Sequence, residues 1–198
     1  MRLVLASGSI GRRTLLEQAG VPHDVMPASI DEAAAKEPLR NRGFHPSAIA
    51  DALAELKALE VSERRPEDLV LGCDQTLALE DGTEFDKATD RTVLAGQLRM
   101  LSGKTHRLFS AMVVARQGEI VWRHVEHVRM TMRTLSDQFI SDYVESEGDV
   151  LLGCVGGYRI EGRGVQLFSR IEGSHFAIMG LPLLPLLEYL RAEEILPA

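Results

Sequence analysis

Residues 68–79, Asp-Leu-Val-Leu-Gly-Cys-Asp-Gln-Thr-Leu-Ala-Leu, constrain the fold more than any other stretch. They are apolar on both sides of a period-two pattern, as a strand covered on both faces is. Such a strand belongs at the centre of a sheet with layers packed above and below. Asp74 interrupts it. A buried carboxylate is costly unless it is paired, hydrogen-bonded or next to a metal. Asp74 is therefore either a structural carboxylate capping backbone N–H groups at a strand end or a functional group. The residues alone leave both readings open.

The segments around this strand alternate in type. Residues 2–6 read as a short buried strand, 7–11 as a small-residue turn, and 14–19 as a helix stopped by Gly20. Residues 31–46 are polar and irregular and read as a mobile surface segment. Ser47 is then expected to cap a helix with Ile49, Leu53 and Leu56 at helical spacing. Lys57 lies beside Leu53 and Leu56, so its stem can be buried while its ammonium reaches a cleft. A helix over 90–101 ends at Ser102-Gly103. Two strands, 108–115 and 120–132, are joined at Gln117-Gly118. In the second, apolar residues shift from odd (Val121, Val125) to even (Val128, Met130, Met132), which predicts a bulge or bend near Glu126. Ser136 opens another helix, residues 153–164 are glycine-rich, and 165–171 are strand-like. Pro182 sits in the first turn of a last helix. Interleaved strands and helices predict an α/β or mixed α+β fold. At roughly 100–200 residues per domain, residues 1–198 are expected to form one domain.

Composition narrows the function classes. With 45% hydrophobic and 26% charged residues the chain can bury a core, so disorder is excluded as its main state. A formal net charge of −7 argues against a general nucleic-acid binder. Cys73 and Cys154 form neither a disulfide framework nor a Cys-x-x-Cys pair, which fits a reducing compartment. The apolar stretch at residues 3–6 is too short for a signal peptide. The apolar run at 181–187 is far short of the ~20 residues of a membrane span and contains two prolines. A cytoplasmic protein without membrane contact is expected.

Local chemistry offers one anion site. Ser7 and Ser9 supply hydroxyls, Gly8 and Gly11 allow backbone N–H groups to approach a ligand, and Arg12 and Arg13 supply charge at a helix start. Arginines oppose the helix dipole there, which favours a bound anion, although a solvated arginine pair is the alternative. Ser102-Gly103-Lys104-Thr105 imitates a phosphate loop but follows a helix instead of a strand, so Gly103 is expected to cap that helix. His124 and His127, three apart on a strand, point to opposite faces and suit no common metal.

The residues 5–16, Leu-Ala-Ser-Gly-Ser-Ile-Gly-Arg-Arg-Thr-Leu-Leu, resemble the Maf family signature Leu-Ala-Ser-x-Ser-Pro-Arg-Arg-x-x-Leu-Leu. The resemblance continues in order along nearly the whole chain. It covers Ile30-Asp31-Glu32, Ala54-Glu55-Leu56-Lys57-Ala58, Gly72-Cys73-Asp74-Gln75-Thr76, Asp86-Lys87, Leu101-Ser102-Gly103-Lys104-Thr105-His106, Gly157-Tyr158-Arg159-Ile160-Glu161-Gly162 and Gly180-Leu181-Pro182-Leu183. It implies an elongated mixed sheet flanked by helices, with two lobes around a cleft, similar to inosine triphosphatases. It also implies hydrolysis of nucleoside triphosphates to monophosphate and pyrophosphate.

On this resemblance Asp74 is the catalytic base. Ser7, Arg12, Arg13, Lys57, Gln75, Lys87 and Glu161 bind substrate, and Glu32 and Asp74 hold a divalent cation, Mg²⁺ or Mn²⁺. The implied partner is a nucleoside triphosphate, not nucleic acid or membrane, with a homodimer left open. The chain departs from the family in carrying Ile10 for proline, Gly11 at an arginine position, Cys154 for lysine, and Gly173-Ser174-His175 for Gly-Asp-Tyr. Asp74-Gln75, Glu161 and the missing lysine resemble a subgroup that acts on 7-methyl-GTP, whereas Gly11 does not. The alternative is a nucleotide-binding regulator of cell division with weak or no turnover.

Overall fold

The computed structural model describes residues 2–197. Its backbone is one mixed sheet in the order β2-β1-β3-β5-β6-β7, with β4 paired to β3 off this path. Here β1 is Leu3–Leu5, β2 His23–Val25, β3 Leu69–Leu79, β4 Glu84–Phe85, β5 Thr105–Arg116, β6 Glu119–Met132 and β7 Phe168–Glu172. The helices are α1 (Ile10–Gln18), α2 (Glu32–Asn41), α3 (Pro46–Arg64), α4 (Arg91–Leu101), α5 (Asp137–Glu147), α6 (His175–Ile178) and α7 (Leu183–Ala192). Among the described residues no helix is long and apolar enough to cross a membrane.

The apolar stretch that opens the sequence argument is the central strand. β3 lies between β1, which runs parallel to it, and β5, which runs antiparallel. All of its residues except Gln75 are buried. Two apolar clusters divide its length. Leu69, Leu71 and Cys73 pack with α1 and α7, while Leu77 and Leu79 pack with α4 and α5. Asp74 follows Cys73 in sequence but points to the opposite face. The edge of β3 is interrupted at the same place. β1 pairs with Leu69–Leu71 and β4 pairs with Leu77 and Ala78, so the residues between them have a strand neighbour only in β5. A sheet edge left open inside a covered sheet is a natural mouth for a cleft.

The other face of β3 receives α3. Its buried face is Ile49, Ala50, Leu53, Ala54, Lys57, Ala58 and Val61, whereas Leu56 is 43% exposed. Two alanines bring the helix close to Gly72. A Cβ on Gly72 would lie 2.6 Å from the Ala58 backbone nitrogen and closer still to the Ala54 carbonyl. This close approach sets how far Lys57 reaches over the strand.

Several sequence expectations change. The polar segment at 31–46 contains α2, which holds Pro38 and has no buried residue, so no apolar periodicity marks it. α3 begins two residues earlier than expected, with His45 as N-cap in place of Ser47 and Pro46 in the first turn. β2 and β4 are too short to show an alternating pattern, and α6 spans only four residues. The strand expected over 165–171 is a 3₁₀ turn to Leu167 followed by β7. Pro182 stands just before α7, as its N-cap residue. The expected bulge near Glu126 is absent, since the β5–β6 register runs unbroken through it. Residues with even numbers face inward along the whole of β6, Val121 and Val125 lie on the open face, and the register breaks instead between Val114 and Ala115 and between Thr131 and Met132. Gln117 and Gly118, both with positive φ, close the β5–β6 hairpin as expected. Gly103 takes a positive φ just after α4, in keeping with the helix-ending reading.

His106 is fully buried in β5, shares a 2.7 Å hydrogen bond with the Tyr158 hydroxyl through Nε2, and leaves Nδ1 without a partner. Burial pushes its pKa down to about 4. The folded state excludes a proton that the unfolded chain accepts below its ordinary value near 6.5. Stability is therefore unaffected by this group above pH ~6.5 and falls by about 3 kcal/mol as the pH drops to ~4. Urea titrations at pH 7 and pH 4.5 should show a smaller loss for His106→Leu than for the wild type, and equal losses would contradict the burial effect. Gly72→Ala should destabilise by about 3 kcal/mol, read as a lower urea midpoint, because backbone stands where the methyl would go.

Candidate active site

A cleft of about 510 Å³ opens at the interrupted edge of β3 and is lined by Ser7, Arg12, Glu32, Lys57, Asp74, Gln75, Lys87 and Glu161 among others. Eight of the nine site residues expected from the sequence thus lie on one wall system, supplied by β3, the β1–α1 loop, α1, α2, α3 and the segments after β4 and α5. Arg13 does not line it.

At the centre is an ammonium between two carboxylates. Lys57 Nζ donates to Asp74 Oδ1 at 2.6 Å and lies 2.7 Å from Glu32 Oε1. The Lys57 and Asp74 side chains are only 9% and 6% exposed, so neither charge would be tolerated without the other. Asp74 Oδ2 is buried with no hydrogen-bond partner. Burial raises the Glu32 carboxyl, but its hydrogen bond to Lys57 and the charges of Lys57, Lys87 and Lys36 outweigh this and hold it below its usual range. Glu32 is thus an anion at neutral pH.

Arg12 is buried and fills the gap in the sheet edge. Its Nη1 donates to the Cys73 carbonyl and to Ser7 Oγ, both at 3.0 Å, and its Nε donates to the Gly180 carbonyl at 2.8 Å. The guanidinium takes the place of a missing strand neighbour and joins β3, the β1–α1 loop and the turn before α7. Ser9 caps α1 by accepting from the Arg12 backbone N–H. Arg13, one residue on, is half-exposed and paired with Glu17 at 3.4 Å. The family signature agrees with this placement. Counted from Ser9, its two arginine positions fall on Gly11 and Arg12, so Arg13 lies one place beyond them.

Strand alternation sends Gln75 to the face opposite Asp74. Its amide nitrogen donates to Ser110 Oγ at 2.7 Å and to the carbonyls of Ala177 and Ile178 at 2.9 and 3.1 Å. Two carbonyl neighbours identify the nitrogen end of the amide. Ser110 also donates to the Ala177 carbonyl at 2.6 Å. The donors of Gln75 therefore hold α6, which leaves its amide oxygen for a ligand. Glu161 accepts from Arg159 Nε at 2.9 Å through Oε1. Cys154 lines the cleft as well, and burial followed by the Glu161 charge raises its thiol, so it carries no charge at neutral pH.

Sequence reasoning missed Lys36 and Arg159, both of which line the cleft. Lys36 comes from the unexpected α2. Five lining cations, Arg12, Lys36, Lys57, Lys87 and Arg159, face three carboxylates, Glu32, Asp74 and Glu161. The cleft is net positive in a chain whose formal charge is −7. Such local reversal suits a compact polyanion.

Comparison with known proteins follows the same outline. A profile described as Maf-like protein matches residues 2–193. A 7-methyl-GTP pyrophosphatase of Brucella abortus biovar 1 (strain 9-941) is 49% identical over 194 residues, covering 98% of this chain and 97% of that protein. A nucleoside triphosphate pyrophosphatase of Granulibacter bethesdensis (strain ATCC BAA-1260 / CGDNIH1) is 45% identical over 196 residues, covering 99% of each. Among solved structures, a HAM1 protein from Coxiella burnetii overlaps 67% of this chain and 73% of its own, with a TM-score of 0.47 and 11% identity.

The two arginines should behave differently. Arg12→Ala removes three buried hydrogen bonds and should cost about 3 kcal/mol of stability by urea titration. Arg13→Ala should stay within about 0.5 kcal/mol of the wild type, since it loses one exposed pair. Equal effects would contradict the placement of the two side chains.

Proposed function

This chain belongs to the Maf family, and from that premise we propose that its cleft hydrolyses nucleoside triphosphates to monophosphate and pyrophosphate, with 7-methyl-GTP favoured. The observation that carries the reading is the buried Asp74–Lys57–Glu32 cluster inside a cation-rich cleft. A triphosphate needs cations along its length, and Lys57 and Lys87 supply them. Water attacks phosphorus, the phosphoanhydride bond breaks, and pyrophosphate leaves with the bonding electrons. Asp74 Oδ2, the carboxylate oxygen that Lys57 does not hold, accepts the proton of the water. The lysines then offset charge gathering on the leaving group.

The same residues fit a divalent cation. Mg²⁺ characteristically takes one or two carboxylates and fills its other positions with phosphate and water. Lys57 engages one oxygen of Asp74 and one of Glu32, and Asp74 Oδ2 has no partner. Among the described residues no three acidic, histidine or cysteine side chains are grouped as a metal cage, so the donors fit a cation shared with substrate and not one enclosed by protein. When bound, Mg²⁺ or Mn²⁺ would neutralise phosphate charge.

Base choice follows from charge and hydrogen bonding. Methylation at N7 makes guanine cationic, and Glu161 in the cleft wall favours a cationic base. Its carboxylate also accepts from guanine N1–H and the 2-amino group, a pattern that uracil and thymine do not offer. The names of the Brucella and Granulibacter relatives support the reaction and, for the first, the substrate.

A panel of normal and modified triphosphates with Mg²⁺ or Mn²⁺, scored by pyrophosphate release, tests the reading. The expected result is release from 7-methyl-GTP faster than from dTTP or UTP, with Glu161→Gln narrowing the difference. Binding without release from any triphosphate would favour a regulator instead. Asp74→Asn should lower kcat by roughly 10²–10⁴-fold, the worth of a general base, while nucleotide binding survives in part. Near-normal turnover by folded Asp74→Asn would remove Asp74 from the mechanism.

A further inference from the structure

Beside the phosphate-binding lysines, α2 is attached to the protein in an unusual way. It presents Glu32, Lys36 and Arg40 at i, i+4 and i+8, a single stripe of the helix. Every residue of that stripe meets an opposite charge. Glu32 meets Lys57, and Lys36 Nζ lies 3.2 Å from Asp86 Oδ1. Arg40 forks onto both oxygens of Asp86 at 2.8 and 2.9 Å, and its Nε donates to Glu84 at 2.9 Å.

α2 has no buried residue, spans ten residues and contains Pro38. Asp31 caps it and Ala33–Ala35 favour a helix, but ten residues with Pro38 are too few to hold a helix alone. Ala35 and Leu39 are only half-buried, and the ionic contacts of the stripe, the three made by Arg40 above all, complete its docking. Asp86 is a fixed point for this contact, because Gln97 of α4 donates to its backbone carbonyl at 3.0 Å. The helix in turn places Glu32 against Lys57 and brings Lys36, with its side chain only 14% exposed, to the cleft wall.

We propose that Arg40 and Asp86 are positioning residues that set α2 against the cleft, and that Lys36 is a further ligand of the substrate phosphates. The second half rests on the triphosphate reading of the cleft. Lys36 shares Asp86 with a bidentate guanidinium, so its departure toward a phosphate leaves Asp86 still neutralised. Arg40, held by two carboxylates, stays in place as Lys36 moves. Losing Arg40 lets α2 leave its dock part of the time. Apparent affinity then falls with the docked fraction, while the saturated enzyme, docked again by substrate, keeps its rate.

The test compares the wild type with Arg40→Ala, Lys36→Ala, Lys36→Arg and, as a control, Arg99→Ala, which breaks an exposed pair with Asp137 away from the cleft. Three readouts are taken: amide hydrogen exchange over residues 33–41, the Kd for the α,β-methylene analogue of GTP, and KM and kcat for pyrophosphate release. Arg40→Ala should exchange about tenfold faster over α2 and raise KM and Kd about fivefold, with kcat within about twofold. Lys36→Ala should raise KM and Kd by a similar factor with exchange close to the wild type, and Lys36→Arg should restore most of the affinity. Arg99→Ala should change nothing. Wild-type exchange and wild-type KM in Arg40→Ala would overturn the positioning role, and wild-type Kd in Lys36→Ala would overturn the ligand role. A wild-type protein that neither binds nor hydrolyses triphosphates would instead overturn the pyrophosphatase reading and the ligand role with it, and the exchange data would still decide whether Arg40 docks α2.

Discussion

The Lys57 ammonium between Asp74 and Glu32 is the interaction on which the rest of the site depends. A lysine and an aspartate this deeply buried are tolerated only together. Their meeting requires α3 to lie almost on the backbone of β3, which Gly72, Ala54 and Ala58 allow by having little or no side chain at the contact. It also requires Asp74 to share with Gly72 the face of β3 that α3 covers, since no apolar neighbour could replace the ammonium. Glu32 closes the triad from the third side and ties α2 to the same charge. Packing distance, charge pairing and cleft position are one arrangement, and a change in any of them disturbs the others.

The second constraint is the interrupted edge of β3. β1 ends at Leu5 and β4 begins only opposite Leu77, so the backbone between them has no strand on one side. Buried carbonyls need donors, and Arg12 supplies one to Cys73 while also holding Ser7 and Gly180. Gln75 and Ser110 secure α6 from the other face. The polar side chains of the cleft thus serve first to hold backbone around the opening. Asp74 Oδ2 is left buried without a partner after those bonds are made.

The central features were legible in the sequence because they rest on local pattern. An apolar stretch with one carboxylate announces a central strand and an exceptional residue, and Lys57 on an apolar helix face announces a buried stem. α2 was not legible, because Pro38 interrupts it and its apolar side holds only alanines and Leu39, with no residue fully buried. Its docking depends on Glu84 and Asp86, more than 40 positions away. Arg12 and Arg13 look equivalent in local chemistry, and the first turn of α1 sends one into the protein and the other to Glu17. Gln75 was legible as a site residue, yet its donors are engaged by carbonyls about a hundred positions on, which no local pattern records.

The central claim is that the Lys57 charge holds the Glu32 carboxyl ionised and in place at the cleft. The direct measurement is a carbon-13 NMR titration of the Glu32 carboxyl in the wild type and in Lys57→Met. The account predicts a wild-type midpoint below the ordinary value of 4.5, because attraction to Lys57, Lys87 and Lys36 exceeds the effect of burial. It predicts that Lys57→Met moves the midpoint upward, since burial remains and the largest attraction is gone. A wild-type midpoint at or above 4.5, or a lowered one that Lys57→Met leaves unchanged, would contradict it.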